Sequence, residues 1–159
     1  MRKFGAAVAL LALAGCTASA RDALEQARKA LAETHYSEAI AAADAGLARG
    51  PDAVTSWGLE LVKLESLARS GQGDPTLAQL QKLTDAWPDN MLADQFAATA
   101  DQLRAAGQGP AAIDALDLGL RRFPQDPALR AQVDQVKAKA ASEPDSAEVE
   151  RLRTLGYIN

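Results

Sequence analysis

Residues 39–51 read AIAAADAGLARGP, and residues 112–124 read AIDALDLGLRRFP. The two stretches share an Ala-Ile pair, a later Gly-Leu pair and a final proline in one constant register, so that position 39 matches 112 and position 51 matches 124. Similar stretches at a fixed offset are typical of a protein built from repeated structural units. The repeat therefore decides the fold.

A third copy lies between these two stretches. Gly71-Gln72-Gly73 matches Gly107-Gln108-Gly109, and Trp87-Pro88 matches Phe123-Pro124. Leucines at 77 and 80 match Ile113 and Leu116 in the same register. The pattern predicts three units of about 36 residues each.

The composition favours helices over strands. Ala, Leu, Gln, Asp, Glu and Arg dominate, and aromatic residues make up 4% of the chain. Prolines at 51, 88 and 124 separate the units. Asp52, Asp74 and Asp126 are predicted to cap the starts of helices. The sequence alone therefore predicts an all-α protein.

At these residues the chain resembles the tetratricopeptide repeat (TPR) family, whose unit is a helix-turn-helix of about 34 residues. Phe96, Ala100 and Leu103 stand at the aromatic, small and large positions of the first helix in unit three. The resemblance implies a right-handed α-solenoid of about three helical hairpins plus a C-terminal capping helix. It also implies close helix contacts at four small residues, Ala27, Ala39, Ala100 and Ala112.

The second unit and the C-terminal segment depart from the repeat. Trp57 lies one helical turn before the expected aromatic position, and an extra turn in its helix would explain the longer period. The capping helix is predicted over 127–141, followed by a break at Ser142-Glu143-Pro144. Asp145 and Glu148 are predicted to form a capping box for a short last helix.

The N-terminal residues predict export. Arg2 and Lys3 precede an apolar run, residues 4–14, that is too short to span a bilayer. Leu13-Ala14-Gly15-Cys16 resembles the lipobox of bacterial lipoproteins, which implies cleavage between Gly15 and Cys16 and a covalent lipid on Cys16. An uncleaved anchor and an ordinary signal peptide are the alternatives.

Thr17, which follows the cysteine, adds a location. In the same lipoprotein pattern an Asp at this position favours the inner membrane, so the resemblance implies the outer membrane and its periplasmic face. The expected organisation is a cleaved signal (1–15), a lipidated tether (16–21), a repeat domain with its capping helix (22–141) and a C-terminal linker with a short helix (142–159).

Charge and residue content exclude several kinds of chemistry. The formal net charge of −4 becomes −6 when Arg2 and Lys3 leave with the signal, which disfavours nucleic acid and anionic lipid headgroups as partners. His35 is the only histidine and Cys16 the only cysteine, too few for a zinc site. No set of nucleophile, base and oxyanion donor can be assembled. We therefore expect a noncatalytic protein without metal, whose one covalent group is the lipid.

In the TPR family the first helix of each unit lines a groove that binds a peptide or a partner helix. Carried over residue by residue, the candidate groove consists of Leu24, Arg28, Leu31, Val62, Glu65, Asp94, Ala97, Asp101 and Arg104. Leu24 and Leu31 fit a helix core equally well, because they lie at the spacing of an apolar stripe.

The leading hypothesis is a periplasm-facing lipoprotein adaptor that binds another envelope protein or peptide through this groove, in assembly, secretion or stabilisation. The alternative is an accessory subunit of an exported hydrolase, because residues 152–159, LRTLGYIN, resemble a tail of some exported sulfatase-type hydrolases. A cell-wall enzyme is a third class. Self-association through an exposed end of the stack also stays open, since three units give a short groove.

Overall fold

A computed structural model describes residues 19–159 of the chain. Within this range the protein is all-α, as the composition predicted, and contains no strand. The helices are α1 (Ala20–Ala32), α2 (Tyr36–Leu47), α3 (Ala53–Arg69), α4 (Gly73–Ala86), α5 (Ala93–Ala105), α6 (Gly109–Arg122), α7 (Pro127–Lys139) and α8 (Ala147–Thr154). The predicted signal, its cleavage site and Cys16 lie outside the described residues.

The helices pack in consecutive pairs, α1 on α2, α3 on α4, α5 on α6 and α7 on α8. The odd-numbered helices also contact one another in the order α1, α3, α5, α7, and we call this row the odd-helix layer. On the other side, α4 contacts α6 and α6 contacts α8. The helix predicted as a lone cap, α7, therefore has a partner of its own, α8.

The same tight turn joins the two helices of the first three pairs. Gly71 and Gly107 have φ angles of +75° and +77°, and Thr34 occupies the equivalent place with φ +61°. In each turn the next residue donates its backbone N–H to a carbonyl five residues back, as His35 does to Ala30 at 2.8 Å. The turn needs a left-handed residue, which explains the two matching glycines.

Replacing Thr34 with Gly is expected to stabilise the protein by about 0.5–1 kcal/mol, since a β-branched residue is strained at a positive φ that glycine adopts freely. The midpoint of urea denaturation should rise accordingly. Glu33→Gly is the matched control, because Glu33 has an ordinary φ of −84° and should lose stability. A Thr34→Gly protein less stable than the native chain would contradict this account.

Two of the three predicted helix caps are present. Asp52 accepts from the backbone N–H of Thr55, and Asp126 accepts from those of Ala128 and Leu129. Asp74 is a wrong prediction, because α4 begins one residue earlier, at Gly73, after the turn described above. The turn fixes the start of α4, so no side-chain cap is required there.

Small residues allow the helices to approach closely. Ala27, Ala39, Ala100 and Ala112, named from the sequence, are all completely buried. At Gly119 even a Cβ atom would be too large, because it would lie 2.8 Å from Cβ of Phe96 and 3.0 Å from Cδ1 of Leu129. Its counterpart in unit one, Gly46, is equally tight against α1 and α3. These contacts explain the repeated Gly-Leu pairs.

The second unit contains the extra turn that its longer period predicted. Helix α3 has 17 residues, whereas α1, α5 and α7 have 13 each. Glu60 takes the place that Phe96 has in unit three, and it is buried, accepting from Gln79 Nε2 at 2.5 Å and Lys82 Nζ at 2.6 Å. Trp57, one turn earlier, supplies the aromatic contact instead.

Candidate binding surface on the odd-helix layer

Two depressions lie between neighbouring members of the odd-helix layer. The first, between α1 and α3, has a volume of about 310 Å³. The second, between α3 and α5, has a volume of about 140 Å³. The side chains around the first include Leu24, Arg28 and Thr55, with Val54 at the end where α3 begins. Those around the second include Leu61, Glu65, Gln95 and Gln102.

Leu24 and Arg28 of α1 lie against α3 at Gly58, the one residue of α3 that has no side chain. A Cβ atom on Gly58 would lie 3.0 Å from Cδ2 of Leu24 and 3.4 Å from Nη2 of Arg28. Leu24 is half-buried, and Arg28 is exposed. Arg28 forms no ion pair with any residue of 19–159. The guanidinium is therefore available to a partner.

Two predicted groove residues belong to the core instead. Leu31 is 9% exposed and Val62 is 6% exposed, and both lie in the apolar cluster between α1, α2 and α3. They face inward because α1 and α3 pack against α2 as well as against each other. We therefore remove Leu31 and Val62 from the candidate surface. For Leu31 the core alternative was the correct one.

Glu65 is half-buried at the second depression and pairs with Arg69 at 3.1 Å, one turn further along α3. Across the depression, Gln95 and Gln102 extend from α5. This part of the surface combines one carboxylate with two amide side chains, so it offers both hydrogen-bond donors and acceptors.

The unit-three residues are only partly free. Asp94 is exposed at the start of α5, and Ala97 is half-buried with its carbonyl accepting from Gln132 Nε2 at 3.3 Å. Asp101 accepts from Gln132 Nε2 at 3.1 Å and pairs with Arg104 at 3.3 Å. Asp101 therefore helps to hold α7 against α5.

Arg104 connects α5 to α8. Its Nε donates to Glu148 Oε1 of α8 at 2.8 Å, and its Nη1 donates to Asp101. Two buried side-chain atoms in this region, Arg104 Nη2 and Gln132 Oε1, have no hydrogen-bond partner among the described residues.

Glu148 does not cap α8, contrary to the predicted capping box. Ser146 is the N-cap residue, and its Oγ accepts from the backbone N–H of Val149 at 3.4 Å. Asp145 lies before the cap. The pairing of Glu148 with Arg104 explains the difference, because a side chain held by a distant guanidinium is not free to bond its own helix start.

The C-terminal segment from α8 onward packs against α6 on the even side and also contacts α7. Arg151 pairs with Asp114 of α6 at 2.6 Å, and the hydroxyl of Tyr157 donates to Asp117 at 3.0 Å. Burial, followed by this hydrogen bond and the charge of Asp117, raises the pKa of Tyr157 to about 12. The raised pKa keeps the Tyr157 hydroxyl protonated, and donating to Asp117, to a higher pH than an ordinary tyrosine would.

A further depression of about 470 Å³ lies where the tail meets α6 and α7. Its wall includes Tyr157 and three cationic side chains, Arg121, Arg130 and Lys137. Arg121 is held by Asp117 at 2.6 Å, and the Lys137 ammonium lies 5.5 Å from the centre of the Tyr157 ring. No local pattern predicted this depression, because its parts come from distant segments.

Among residues 19–159, no group of three or more His, Cys, Asp or Glu side chains lies close enough together to hold a metal ion. His35 is exposed in the first turn, with Glu33 and Glu38 at 3.7 and 3.9 Å. No helix in the described range is long and apolar enough to cross a membrane.

Gln132, which belongs to the surface through α7, was not predicted. A signal was present, because Leu129, Val133 and Val136 follow Phe96, Ala100 and Leu103 in a constant register, and all six are buried. That spacing marks α7 as the first helix of a further pair. Its charged residues indicated a solvent-facing end helix instead.

Comparison with protein-family models, with curated proteins and with solved structures found no match to this chain. The surface must therefore be interpreted from its own residues.

Proposed function

We propose that this protein is a noncatalytic adaptor of the bacterial envelope, anchored at the periplasmic face of the outer membrane by a lipid on Cys16. In this proposal the helix pairs are TPR-like units of a right-handed α-solenoid. The odd-helix layer is the groove, and it binds another envelope protein or a peptide from one.

The continuous odd-helix layer carries the proposal. Four helices contact one another in order, and the depressions between them expose an apolar side chain, a free guanidinium and a row of amides and carboxylates. A surface of this kind suits an extended or helical segment with both apolar and charged residues. An acidic residue of the partner would pair with Arg28, and a polar one would bond to Gln95 or Gln102.

The test places a photo-crosslinking side chain at Gln102, inside the groove, in cells that make the full chain. The same side chain at Gln81, exposed on α4, is the control for the even side. We expect one envelope protein to be captured from Gln102 and not from Gln81. Equal capture from both positions, or none from either, would count against the groove.

A charge reversal completes the test. Arg28→Glu should weaken capture about tenfold, the equivalent of losing one favourable charged contact. Lys29→Glu is the matched control, since Lys29 has the same charge and is exposed on the same helix. Neighbouring residues of a helix point about 100° apart, so Lys29 faces away from Arg28. Capture that survives Arg28→Glu unchanged would remove Arg28 from the binding surface.

The second candidate is an accessory subunit that binds an exported hydrolase through the tail. The observation that favours it is the depression beside Tyr157, where the tail and three cationic side chains form one surface. A crosslinking side chain at Arg130 distinguishes the two candidates. Capture from Arg130 and not from Gln102 would support the tail.

A further inference from the structure

One edge of the molecule collects the starts of the odd helices and the ends of the even ones. Arg49, just past the end of α2, donates to the carbonyl of Ser19, the N-cap of α1, at 3.3 Å. Arg21 of α1 pairs with Asp52, the N-cap of α3, at 3.5 Å. The chain therefore enters the described domain at this edge, which we call the tether edge.

The tether edge continues from α3 to the end of α6. Trp57 near the start of α3 meets Trp87 at the end of α4, with ring centres 5.8 Å apart. Arg122 at the end of α6 donates to the carbonyl of Pro88 at 2.5 Å, between α4 and α5. The tight turns at 33–35, 70–72 and 106–108 lie at the opposite edge.

Two large apolar side chains are exposed at the tether edge. Val54, the second residue of α3, is 82% exposed, and Leu92, the N-cap of α5, is 54% exposed. Within residues 19–159, these are the large hydrophobic side chains with high exposure. Each is more favourable out of water, at about 25 cal/mol per Å² of apolar surface.

The length of the tether indicates what covers them. The tether predicted over 16–21 ends earlier, because Ser19 caps α1 and the helix begins at Ala20. Only Thr17 and Ala18 separate Cys16 from Ser19, so the two ends of this segment lie no more than about 11 Å apart. A lipid on Cys16 would hold the start of α1 at the headgroups, and α3 and α5 begin at the same edge. The opposite edge lies a helix length away, about 20 Å, which is beyond the reach of so short a tether.

We propose that the tether edge is the membrane-facing surface of this protein, with Val54 and Leu92 inserted among the phospholipid headgroups. The inference deepens the proposed function and depends on its lipid anchor. Apolar contact supplies the affinity, because Arg21 and Arg49 already hold partners within the protein and the mature chain is acidic. The bilayer surface is then zwitterionic phospholipid, with no requirement for anionic lipid.

The experiment attaches one myristoyl chain to Cys16 of the chain from residue 16 to 159 and measures partition into phosphatidylcholine–phosphatidylethanolamine vesicles. A single chain of this length binds membranes only marginally, so a contribution from the protein surface is measurable. The double variant Val54→Ser/Leu92→Ser should bind about tenfold more weakly. Both sites are exposed and Ser is a favoured N-cap residue, so folding is preserved, which far-ultraviolet circular dichroism verifies.

Two substitutions that add apolar surface, one at each edge, test the opposite effect on partition into vesicles. Ala53→Leu, exposed at the tether edge, should strengthen partition several-fold, and Ala105→Leu, exposed at the opposite edge, should leave it unchanged. Equal effects of the two additions, or no effect of the double serine variant, would overturn the proposal.

Trp57 and Trp87, the only tryptophans of the chain, provide a second readout. Brominated phospholipid should quench their fluorescence in the vesicle-bound protein. A variant with both replaced by Phe and with His35→Trp, at the opposite edge, should escape quenching. The reverse pattern would refute the orientation. If the crosslinking test fails, the proposed adaptor function is rejected, but the vesicle results still stand. The lipid on Cys16 is tested separately, by mass spectrometry of the native protein.

Discussion

Deletion of residues 142–159 is expected to lower the free energy of unfolding by about 5 kcal/mol, because it removes two completely buried side chains and uncovers the apolar surface beneath them. Those side chains are Val149 and Leu152, and α8 packs them into the main core against α6 and α7. The deletion also breaks the pair between Arg151 and Asp114. Urea denaturation of the full and shortened chains measures the difference.

Point variants separate the buried contribution from the rest of the tail. Leu152→Ala should cost about 2–4 kcal/mol, the usual loss for a buried leucine. Glu150 lies on the exposed side of the same helix. Its replacement by Ala should change the free energy of unfolding by roughly 0.5 kcal/mol or less, as exposed charged side chains usually do. Hydrogen exchange should become faster in α6 and α7 when Leu152 is shortened. An unchanged denaturation midpoint after deletion would mean that α8 is not part of the core.

This expected loss affects how the two candidate functions can be told apart. Glu148 lies within the deleted segment and holds Arg104, which belongs to the candidate groove. Deletion of the tail would therefore disturb the groove as well, and lost binding would not identify the tail as the binding element. Crosslinking from single positions avoids this ambiguity, because the core stays complete.

The fold was predictable where a local pattern sets it. The matching Gly-Gln-Gly stretches form equivalent turns because the first glycine of each adopts a left-handed conformation, and no other element is needed to specify that. The extra turn of α3 was predictable for the same reason, since Trp57 falls one turn out of register. Such signals are carried by neighbouring residues in the chain.

Features that depend on distant residues were missed or misassigned. Nothing near Val62 distinguishes a groove position from a core position, because its burial is decided by where α1 and α2 pack. The pairing of Glu148 with Arg104 joins residues 44 positions apart, so a local capping rule could not anticipate it. The lipid on Cys16 and the groove itself remain predictions, since both depend on molecules that contact this chain.

Phe96→Ala is expected to destabilise the protein by about 3–5 kcal/mol, the usual cost of emptying a fully buried aromatic site. Phe96 is completely buried, and its ring meets that of Phe123 edge-on, with centres 6.1 Å apart. Helices α5 and α6 approach here through Gly119, whose lack of a side chain makes room for the Phe96 side chain. The backbones cannot close the resulting gap without displacing α7.

Phe123→Ala is the matched control, because it removes the same ring from a half-buried position at the end of α6. We expect it to cost about half as much, in proportion to the smaller apolar area that it uncovers. Equal losses in the two variants would show that the edge-on pair, and not the burial of Phe96, dominates at this site. A loss below about 1 kcal/mol for Phe96→Ala would mean that the core relaxes around the gap, which close packing at Gly119 argues against.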